Sequence, residues 1–313
     1  MTAVAQRVAF GETLVELAER FPDLLVLDGD LANSTRSDIL SAAHPDRFLE
    51  MGIAEQNMVG VAAGLATLGF IPWVTSFAAF ITSRDLDQIR VVVAQPRLNV
   101  KLAGAYSGIM TAATGKTHQC VEDIAVFRAM PNMTVVAPAD GNEVRAAMHA
   151  LTEHVGPVYL RLTRDPGPLV TTSGRPFEIG RAFLLRDGSD VALISTGAQT
   201  ARTLEAAELL AARGISALVL HVPTLKPLDG DAIVAAAART GRVVTAEEHS
   251  VIGGLGGAVA ETLAERRPTR MARVGLRDVF GESGPNGALL AKYGLTARHV
   301  ADAACKVIAD TAA

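Results

Sequence analysis

Cysteine, aromatic residues, basic charge and long apolar runs are all in short supply in this sequence of 313 residues. Two cysteines, Cys120 and Cys305, are too few for a disulfide framework or a cysteine-rich zinc site, and they favour a reducing compartment. A net charge of −4 provides no basic surface for nucleic acid. The apolar runs are far shorter than the ~20 residues of a membrane-spanning helix, and no signal-peptide pattern opens the chain. We therefore expect a cytoplasmic protein that binds neither nucleic acid nor membrane.

The sequence does contain a regular alternation of short β-branched runs and longer segments with helical spacing. Such alternation is typical of parallel sheets that are covered by helices on both faces. The strand-like runs are 24–27, 71–75, 99–102, 134–136, 158–162, 191–194, 217–220 and 242–245. The helical segments include 4–18, 54–68, 86–93, 201–213 and 257–264. We predict an α/β fold of two three-layer domains, each built on a mainly parallel sheet.

A stretch without periodicity separates the two sets of elements. Residues 165–168 and 171–176 together hold three prolines and two glycines, a composition that is typical of a linker or a domain crossing. We therefore place a first domain at 1–170, a linker at 171–187 and a second domain at 188–313.

Three segments place reactive or aromatic side chains near predicted helix starts. Glu55 lies one turn into an apolar helix, where an ionised carboxylate is costly to bury, but a solvent-facing Glu at a helix N-terminus fits the pattern as well. Phe77 and Phe80 share one helix face, as core residues also would. His118 precedes a helix predicted over 121–130, where a simple cap-region loop is the alternative. Taken singly, each segment leaves both interpretations open.

The second part of the chain offers patterns that fail as cofactor or metal sites. The glycine-rich residues 253–257 lack the third glycine of a dinucleotide-binding loop, and we expect them to serve tight helix packing. The histidines and acidic residues nearby have no ligand spacing, namely His221, His249, Glu247 and Glu248. We predict no metal site in this chain.

Taken in order along the chain, the segments of the first part resemble transketolases. Met-Gly-Ile-Ala-Glu-Gln-Asn-Met (51–58) is followed by Pro-Trp-Val-Thr-Ser-Phe (72–77) and by Gly-Lys-Thr-His-Gln (115–119). Further matching segments are 121–125, 128–133, 135–140 and 162–164. The similarity is closest to the C-terminal subunits of transketolases that are encoded by two genes. Those subunits lack the domain that holds the cofactor diphosphate and its metal ion. Here Asp28-Gly-Asp30 with Asn57 only imitates the Gly-Asp-Gly motif of that domain, because Leu27 replaces its first glycine.

The resemblance implies roles at thiamine diphosphate. Glu55 matches the carboxylate that hydrogen-bonds the aminopyrimidine ring, a bond that an apolar site would strengthen. Phe77 and Phe80 match aromatic residues that flank this ring, while Ser83 stands where many relatives have Tyr. The other implied positions are Leu31, near the thiazolium, Ile53, beside Glu55, and His118, near the reacting carbons.

The resemblance also implies a substrate site. Arg164 matches an arginine that binds the sugar phosphate, for which a guanidinium fork is well suited. Arg7 and Ser34 match further phosphate contacts, although Arg7 could equally be a surface helix residue. Tyr106 stands where many transketolases have His, and Thr114 replaces an Asp that contacts a substrate hydroxyl. We expect an altered choice of acceptor, with an ordinary pentose-phosphate enzyme as the alternative.

The implied activity is transfer of a two-carbon ketol unit from a ketose or its phosphate to an aldehyde acceptor, with thiamine diphosphate as the electron sink. The missing domain implies a partner subunit that holds the diphosphate and Mg²⁺ (or Ca²⁺), in a heterotetramer with two copies of each subunit. Two other thiamine enzymes share the fold, 1-deoxyxylulose-5-phosphate synthase and the beta subunit of 2-oxoacid dehydrogenases. The first normally carries all three domains in one chain, and the second should differ in the Thr-His-Gln and Pro-Asn-Met segments. A regulatory subunit without catalysis is the remaining alternative.

Overall fold

A computed structural model of the chain describes residues 3–309. Strands and helices alternate along it, as the sequence pattern predicts. The strands are β1 (Ala3–Ala5), β2 (Leu24–Asp28), β3 (Phe48–Glu50), β4 (Ile71–Phe77), β5 (Lys101–Ala105), β6 (Thr134–Val136), β7 (Val158–Arg161), β8 (Pro166–Pro168), β9 (Phe183–Arg186), β10 (Val191–Ser195), β11 (Ala217–His221), β12 (Thr224–Lys226), β13 (Arg242–Ser250) and β14 (Arg270–Leu276).

The helices lie between these strands. They are α1 (Gln6–Arg20), α2 (Ala32–Thr35), α3 (Asp38–Ala43), α4 (Glu55–Thr67), α5 (Ala78–Ser83), α6 (Leu86–Gln88), α7 (Asp123–Ala129), α8 (Gly141–Glu153), α9 (Gln199–Ala211), α10 (Gly230–Thr240), α11 (Leu255–Arg266), α12 (Asn286–Lys292) and α13 (Ala297–Ala309). A π-helical stretch, Ile89–Ala94, follows α6 where the sequence predicted one helix. No helix between residues 3 and 309 is long and apolar enough to cross a membrane.

The first sheet has seven strands in the order β12-β6-β7-β5-β4-β2-β3. Every neighbouring pair is parallel except β12 with β6. The central strands β5 and β7 are buried at every position, because helices cover both faces of the sheet. The second sheet has the order β14-β13-β10-β11-β9 and is parallel except for β9. The prediction of two mainly parallel sheets is therefore confirmed.

The two halves of the chain share strands and core. Strand β12 comes from the second half but pairs with β6 of the first sheet, and the Ala137 N–H donates to the Pro223 carbonyl at 2.8 Å. One apolar cluster contains Met58 and Phe127 from the first half together with Ile194 and Leu220 from the second. Burial of this apolar surface couples the halves.

Two segments of the predicted break form strands. Strand β9 lies inside the predicted linker at 171–187 and pairs with β11, so the second sheet begins earlier in the chain than the sequence suggested. Strand β8, which contains two prolines, pairs only with β1 in a small antiparallel ribbon. Proline is tolerated there because the ribbon leaves its other edge unpaired. Proline and glycine hide β8 in the sequence, whereas β9 has neither and was missed because only four residues follow a stretch without periodicity.

Candidate active site

The carboxyl ends of the parallel strands in the first sheet all lie at the same edge of the sheet. In open α/β sheets this edge is where ligands bind, because the loops that follow the strands meet there. Leu31 follows β2, Glu55 follows β3, Phe77 ends β4 and Tyr106 follows β5. The topology therefore brings together residues that lie far apart in the sequence.

Four rings form an aromatic wall at this edge, namely Phe77, Phe80, Tyr106 and His118. The rings of Phe77 and Tyr106 stack with centroids 4.0 Å apart, and Phe80 lies 5.6 Å from Phe77. His118 meets both phenylalanines edge-on, at 5.8 and 5.4 Å. Leu31 packs against the same cluster and is half-buried. Such a wall can hold a flat, apolar ring face by stacking.

Glu55 is the first residue of α4, and its side chain is only 3% exposed. The preceding Ala54 has a non-helical backbone, so the carboxylate lies at the helix N-terminus, where the helix dipole favours negative charge. Both carboxylate oxygens accept hydrogen bonds from Arg84 Nη1, at 3.0 and 3.2 Å. The interpretation of Glu55 as a solvent-facing residue is therefore wrong. Ile53, by contrast, is 73% exposed and lies outside the aromatic wall.

Three polar residues predicted to bind a sugar phosphate lie close together. The Arg7 guanidinium donates to the backbone carbonyls of Ser34 and Arg164, at 2.8 and 3.1 Å. It also reaches the Tyr106 hydroxyl at 3.5 Å, and both arginines lie over the Tyr106 ring at 5.6 and 5.5 Å. Arg164 Nη1 donates to Asp165 Oδ1 at 2.6 Å. Arg7 lies on helix α1, but its guanidinium bonds to Ser34, Arg164 and Tyr106 and so does not point into solvent as a simple surface residue would.

Asp28 holds the loop that carries Leu31 and Ser34. Its buried carboxylate accepts hydrogen bonds from the Leu31 N–H at 2.6 Å and from the hydroxyls of Thr35 and Ser37, both at 2.8 Å. Burial raises the pKa of Asp28 to about 6, against the effect of these hydrogen bonds. Asp28 is therefore bonded to its own loop through these three hydrogen bonds.

The loop between β5 and α7 carries Thr114 and His118. The Thr114 hydroxyl bonds within its own turn, to Thr111 Oγ1 at 2.5 Å and to the Thr111 carbonyl at 3.1 Å. His118 Nδ1 lies 2.9 Å from Thr117 Oγ1. The helix predicted over 121–130 begins only at Asp123, because the Cys120 carbonyl instead accepts from the Gly108 N–H at 2.7 Å. His118 consequently lies in a turn, well before the helix.

Glu248, from the second half, fixes this loop and was not singled out as a site residue by the sequence. Its carboxylate is buried and accepts hydrogen bonds from the Ile109 and Met110 N–H groups, at 3.1 and 3.2 Å. Arg202 donates to its other oxygen at 2.5 Å. Two adjacent acidic residues inside the apolar pattern of β13 were the available signal, because buried carboxylates need partners.

The glycine-rich segment that follows β13 lets the backbone approach the buried side chain of Glu247. Its carboxylate accepts from the Leu255 and Gly256 N–H groups at 2.7 and 2.8 Å, so the start of α11 already has an anionic partner. A Cβ at Gly254 would lie 2.0 Å from Glu247 Oε2, so only glycine fits there. Burial raises the pKa of Glu247 to about 7, whereas these bonds lower it. Within residues 3–309, no group of His, Cys, Asp and Glu could hold a metal ion.

Two family models cover most of the chain. Residues 2–168 match the transketolase pyrimidine binding domain, and residues 180–300 match the transketolase C-terminal domain. The chain therefore belongs to the transketolase family, in which it corresponds to the C-terminal subunit of a split transketolase. Members of this family depend on thiamine diphosphate.

Individual relatives agree with this assignment. The chain is 44% identical over 301 residues to 6-deoxy-6-sulfo-D-fructose transketolase subunit SqwH from Clostridium sp. (strain MSTE9), with 96% of this chain and 94% of that protein covered. A solved structure described as "Split gene transketolase, inactive beta4 tetramer" matches with a TM-score of 0.92 and 48% identity, over 98% of this chain and 99% of that chain. A 1-deoxy-D-xylulose-5-phosphate synthase from Desulforudis audaxviator (strain MP104C) is 40% identical over 93% of this chain, but only 46% of that protein is covered.

The backbone of Gly108 lies close to the side chain of Glu248. A substitution at Gly108 therefore tests whether Glu248, from the second half of the chain, holds the loop between β5 and α7. Gly108 has a φ of +75°, and a Cβ there would lie 2.4 Å from Glu248 Oε1. Gly174 has the same φ, but a Cβ there would have nothing within 4 Å. Gly174→Ala should cost about 1–2 kcal/mol from backbone strain alone. Gly108→Ala should cost a further ~1–3 kcal/mol, because it displaces Glu248 from the buried Ile109 N–H and the partly buried Met110 N–H.

Denaturant unfolding of both variants measures these losses, and trypsin cleavage after the exposed Lys116 reports on the loop. Faster cleavage is expected in Gly108→Ala alone. Equal losses of stability and equal cleavage in the two variants would mean that Glu248 does not hold the loop.

Proposed function

We propose that this chain is the pyrimidine-binding subunit of a split transketolase and transfers two-carbon ketol units from a ketose to an aldehyde acceptor only with a diphosphate-binding subunit. The observation that carries this proposal is the buried carboxylate of Glu55, which Arg84 links to the Phe80 ring, at the edge of a parallel sheet. A buried acid next to aromatic faces is the environment that an aminopyrimidine ring requires from its protein.

The residues of this edge fit thiamine diphosphate in their chemistry. When bound, the cofactor would supply the electron sink that stabilises the two-carbon fragment. Glu55 would hold a proton at the edge of the pyrimidine ring, in a hydrogen bond that low polarity strengthens. Phe77 and Phe80 would pack on the ring and exclude water, and Leu31 would extend this apolar surface.

Substrate binding is assigned to the polar side of the same edge. His118 Nδ1 is engaged by Thr117, so Nε2 is the nitrogen that we assign to a substrate oxygen. Arg7 and Arg164 would bind an anionic end of the sugar, with Ser34 beside them. The anion favoured by this pair of cations is a phosphate or another charged group of similar shape.

The diphosphate and its Mg²⁺ (or Ca²⁺) are assigned to a partner subunit. Asp28 is occupied by its own loop, and residues 3–309 contain no cluster of metal ligands. The relative described as an inactive beta4 tetramer supports the idea that chains of this type need a second subunit. We propose two copies of each subunit, with active sites at their interfaces.

Assembly provides the first test of this function. The purified chain alone should bind thiamine diphosphate negligibly and transfer no ketol units, because half of each site is missing. Mixing with the diphosphate-binding subunit should give a complex of two copies each, detectable by mass photometry, together with turnover. The partner alone is the control. Robust turnover by this chain without a partner would contradict the split-enzyme proposal, and an assembled complex without any turnover would favour a regulatory subunit.

Acceptor choice provides a second test, centred on Thr114. A carboxylate accepts a stronger, charge-assisted bond from a sugar hydroxyl than a threonine hydroxyl does. Here that hydroxyl is already bonded to Thr111. We expect a weak preference for ribose 5-phosphate over its 2-deoxy analogue, and an increase of about tenfold in Thr114→Asp.

Thr114→Asn is the matched control, because it has the shape of Asp without the charge. Competition kinetics in the assembled enzyme measure the ratio of kcat/KM values. Two results would contradict the proposed effect of Thr114 on acceptor choice. One is a wild-type preference as strong as that of an Asp-containing relative, and the other is the same ratio in all three proteins.

A further inference from the structure

Arg84 touches both groups to which the pyrimidine ring is assigned. Its Nη1 donates to Glu55 Oε1 and Oε2 at 3.0 and 3.2 Å. Its Cζ lies over the Phe80 ring, 4.0 Å from the centroid. The guanidinium is therefore placed between the buried carboxylate and the aromatic wall.

The backbone of Arg84 is fixed, whereas its side chain has room to move. Arg84 follows the last residue of α5, its N–H donates to the Phe80 carbonyl at 2.8 Å, and its own carbonyl accepts from Gln56 Nε2 at 2.7 Å. The side chain is 46% exposed. Arg84 can therefore move its guanidinium into water, whereas Glu55, which is 3% exposed, then needs another partner.

A guanidinium and an aminopyrimidine present similar surfaces to this pocket. Both are flat, both carry nitrogen atoms at their edge that can share a hydrogen bond with a carboxyl group, and both can stack on an aromatic face. Glu55 has one carboxylate, and here both of its oxygens are bonded to Arg84. The ring edge of a bound cofactor would need the same oxygens.

We propose that Arg84 is an internal competitor for the pyrimidine ring, which occupies the place between Glu55 and Phe80 until cofactor and partner subunit displace it. This inference rests on the proposed function, because that function assigns Glu55 and Phe80 to the cofactor. Arg84 satisfies the buried carboxylate in the isolated chain and thereby keeps the unassembled subunit closed to thiamine compounds.

Asp85, the next residue, gives a reason why the pocket favours the cofactor ring once the Arg84 side chain has moved away. Its side chain is fully buried, and neither carboxyl oxygen has a hydrogen-bond partner in the part of the chain that the structure describes. Burial, followed by the nearby Glu55, raises the pKa of Asp85 to about 8. Once the cation leaves, two carboxyl groups share one apolar region. Without the cation, the buried Glu55 needs another hydrogen-bond partner, which the cofactor ring would provide.

The test is cofactor affinity in the complex of the full chain with its diphosphate-binding subunit, measured by isothermal titration calorimetry without substrate. Arg84→Ala should lower the Kd for thiamine diphosphate by roughly 5- to 30-fold, since the ion pair and the ring contact no longer compete. Arg84→Gln should also lower this Kd, and it provides a second variant in case Arg84→Ala does not fold. Arg84→Lys should lie between these and wild type, because lysine keeps the charge without the flat fork.

Arg90→Ala is the matched control, because Arg90 is another exposed arginine on the same stretch of chain, and its Kd should equal that of wild type. Unchanged or weaker binding in both Arg84→Ala and Arg84→Gln would overturn the competitor role. That outcome is distinct from failure of the proposed function, in which the wild-type complex itself would not bind thiamine diphosphate.

Discussion

A carboxylate that is buried in apolar surroundings must find a donor or an opposite charge, and this constraint governs the site around Glu55. The start of α4 supplies part of the compensation through its dipole, and Arg84 supplies the rest. A cofactor ring that takes over from Arg84, as we propose, would meet the same requirement. The same carboxylate thus has two possible partners, one inside the chain and one brought by assembly.

The second half of the chain fixes the loop between β5 and α7, although it contributes none of the residues that we propose to touch substrate. Glu248 and Arg202 fix the loop that runs from Tyr106 to His118. Beneath that loop, Arg161 and Asp123 form a fully buried ion pair at 2.8 Å, and Arg161 also donates to the Glu248 carbonyl at 3.0 Å. Loss of one partner of such a pair leaves an uncompensated charge. The two halves therefore act as one unit at the active-site edge.

The alternation of elements and the two mainly parallel sheets could be predicted from the sequence, because they follow from local periodicity. That distant residues meet at one edge was implied only by the resemblance to transketolases. The motif around Glu55 also led to a carboxylate that the structure buries. Three features could not be predicted. Strand β12 joins the first sheet from the second half, Glu248 reaches a loop far away in sequence, and Arg84 turns back onto Glu55. Each depends on tertiary contacts that leave no periodic pattern.

The role of Glu55 is the central claim, and it is tested most directly by exchange of the thiazolium C2 proton of thiamine diphosphate for deuterium in the assembled complex. Glu55→Gln keeps the size of the side chain but removes its acidic proton. Exchange should slow by ~10²–10⁴-fold, the usual size of an acid–base contribution. Glu265→Gln, at an exposed position of α11, should exchange at the wild-type rate. An unchanged rate in Glu55→Gln would contradict the account.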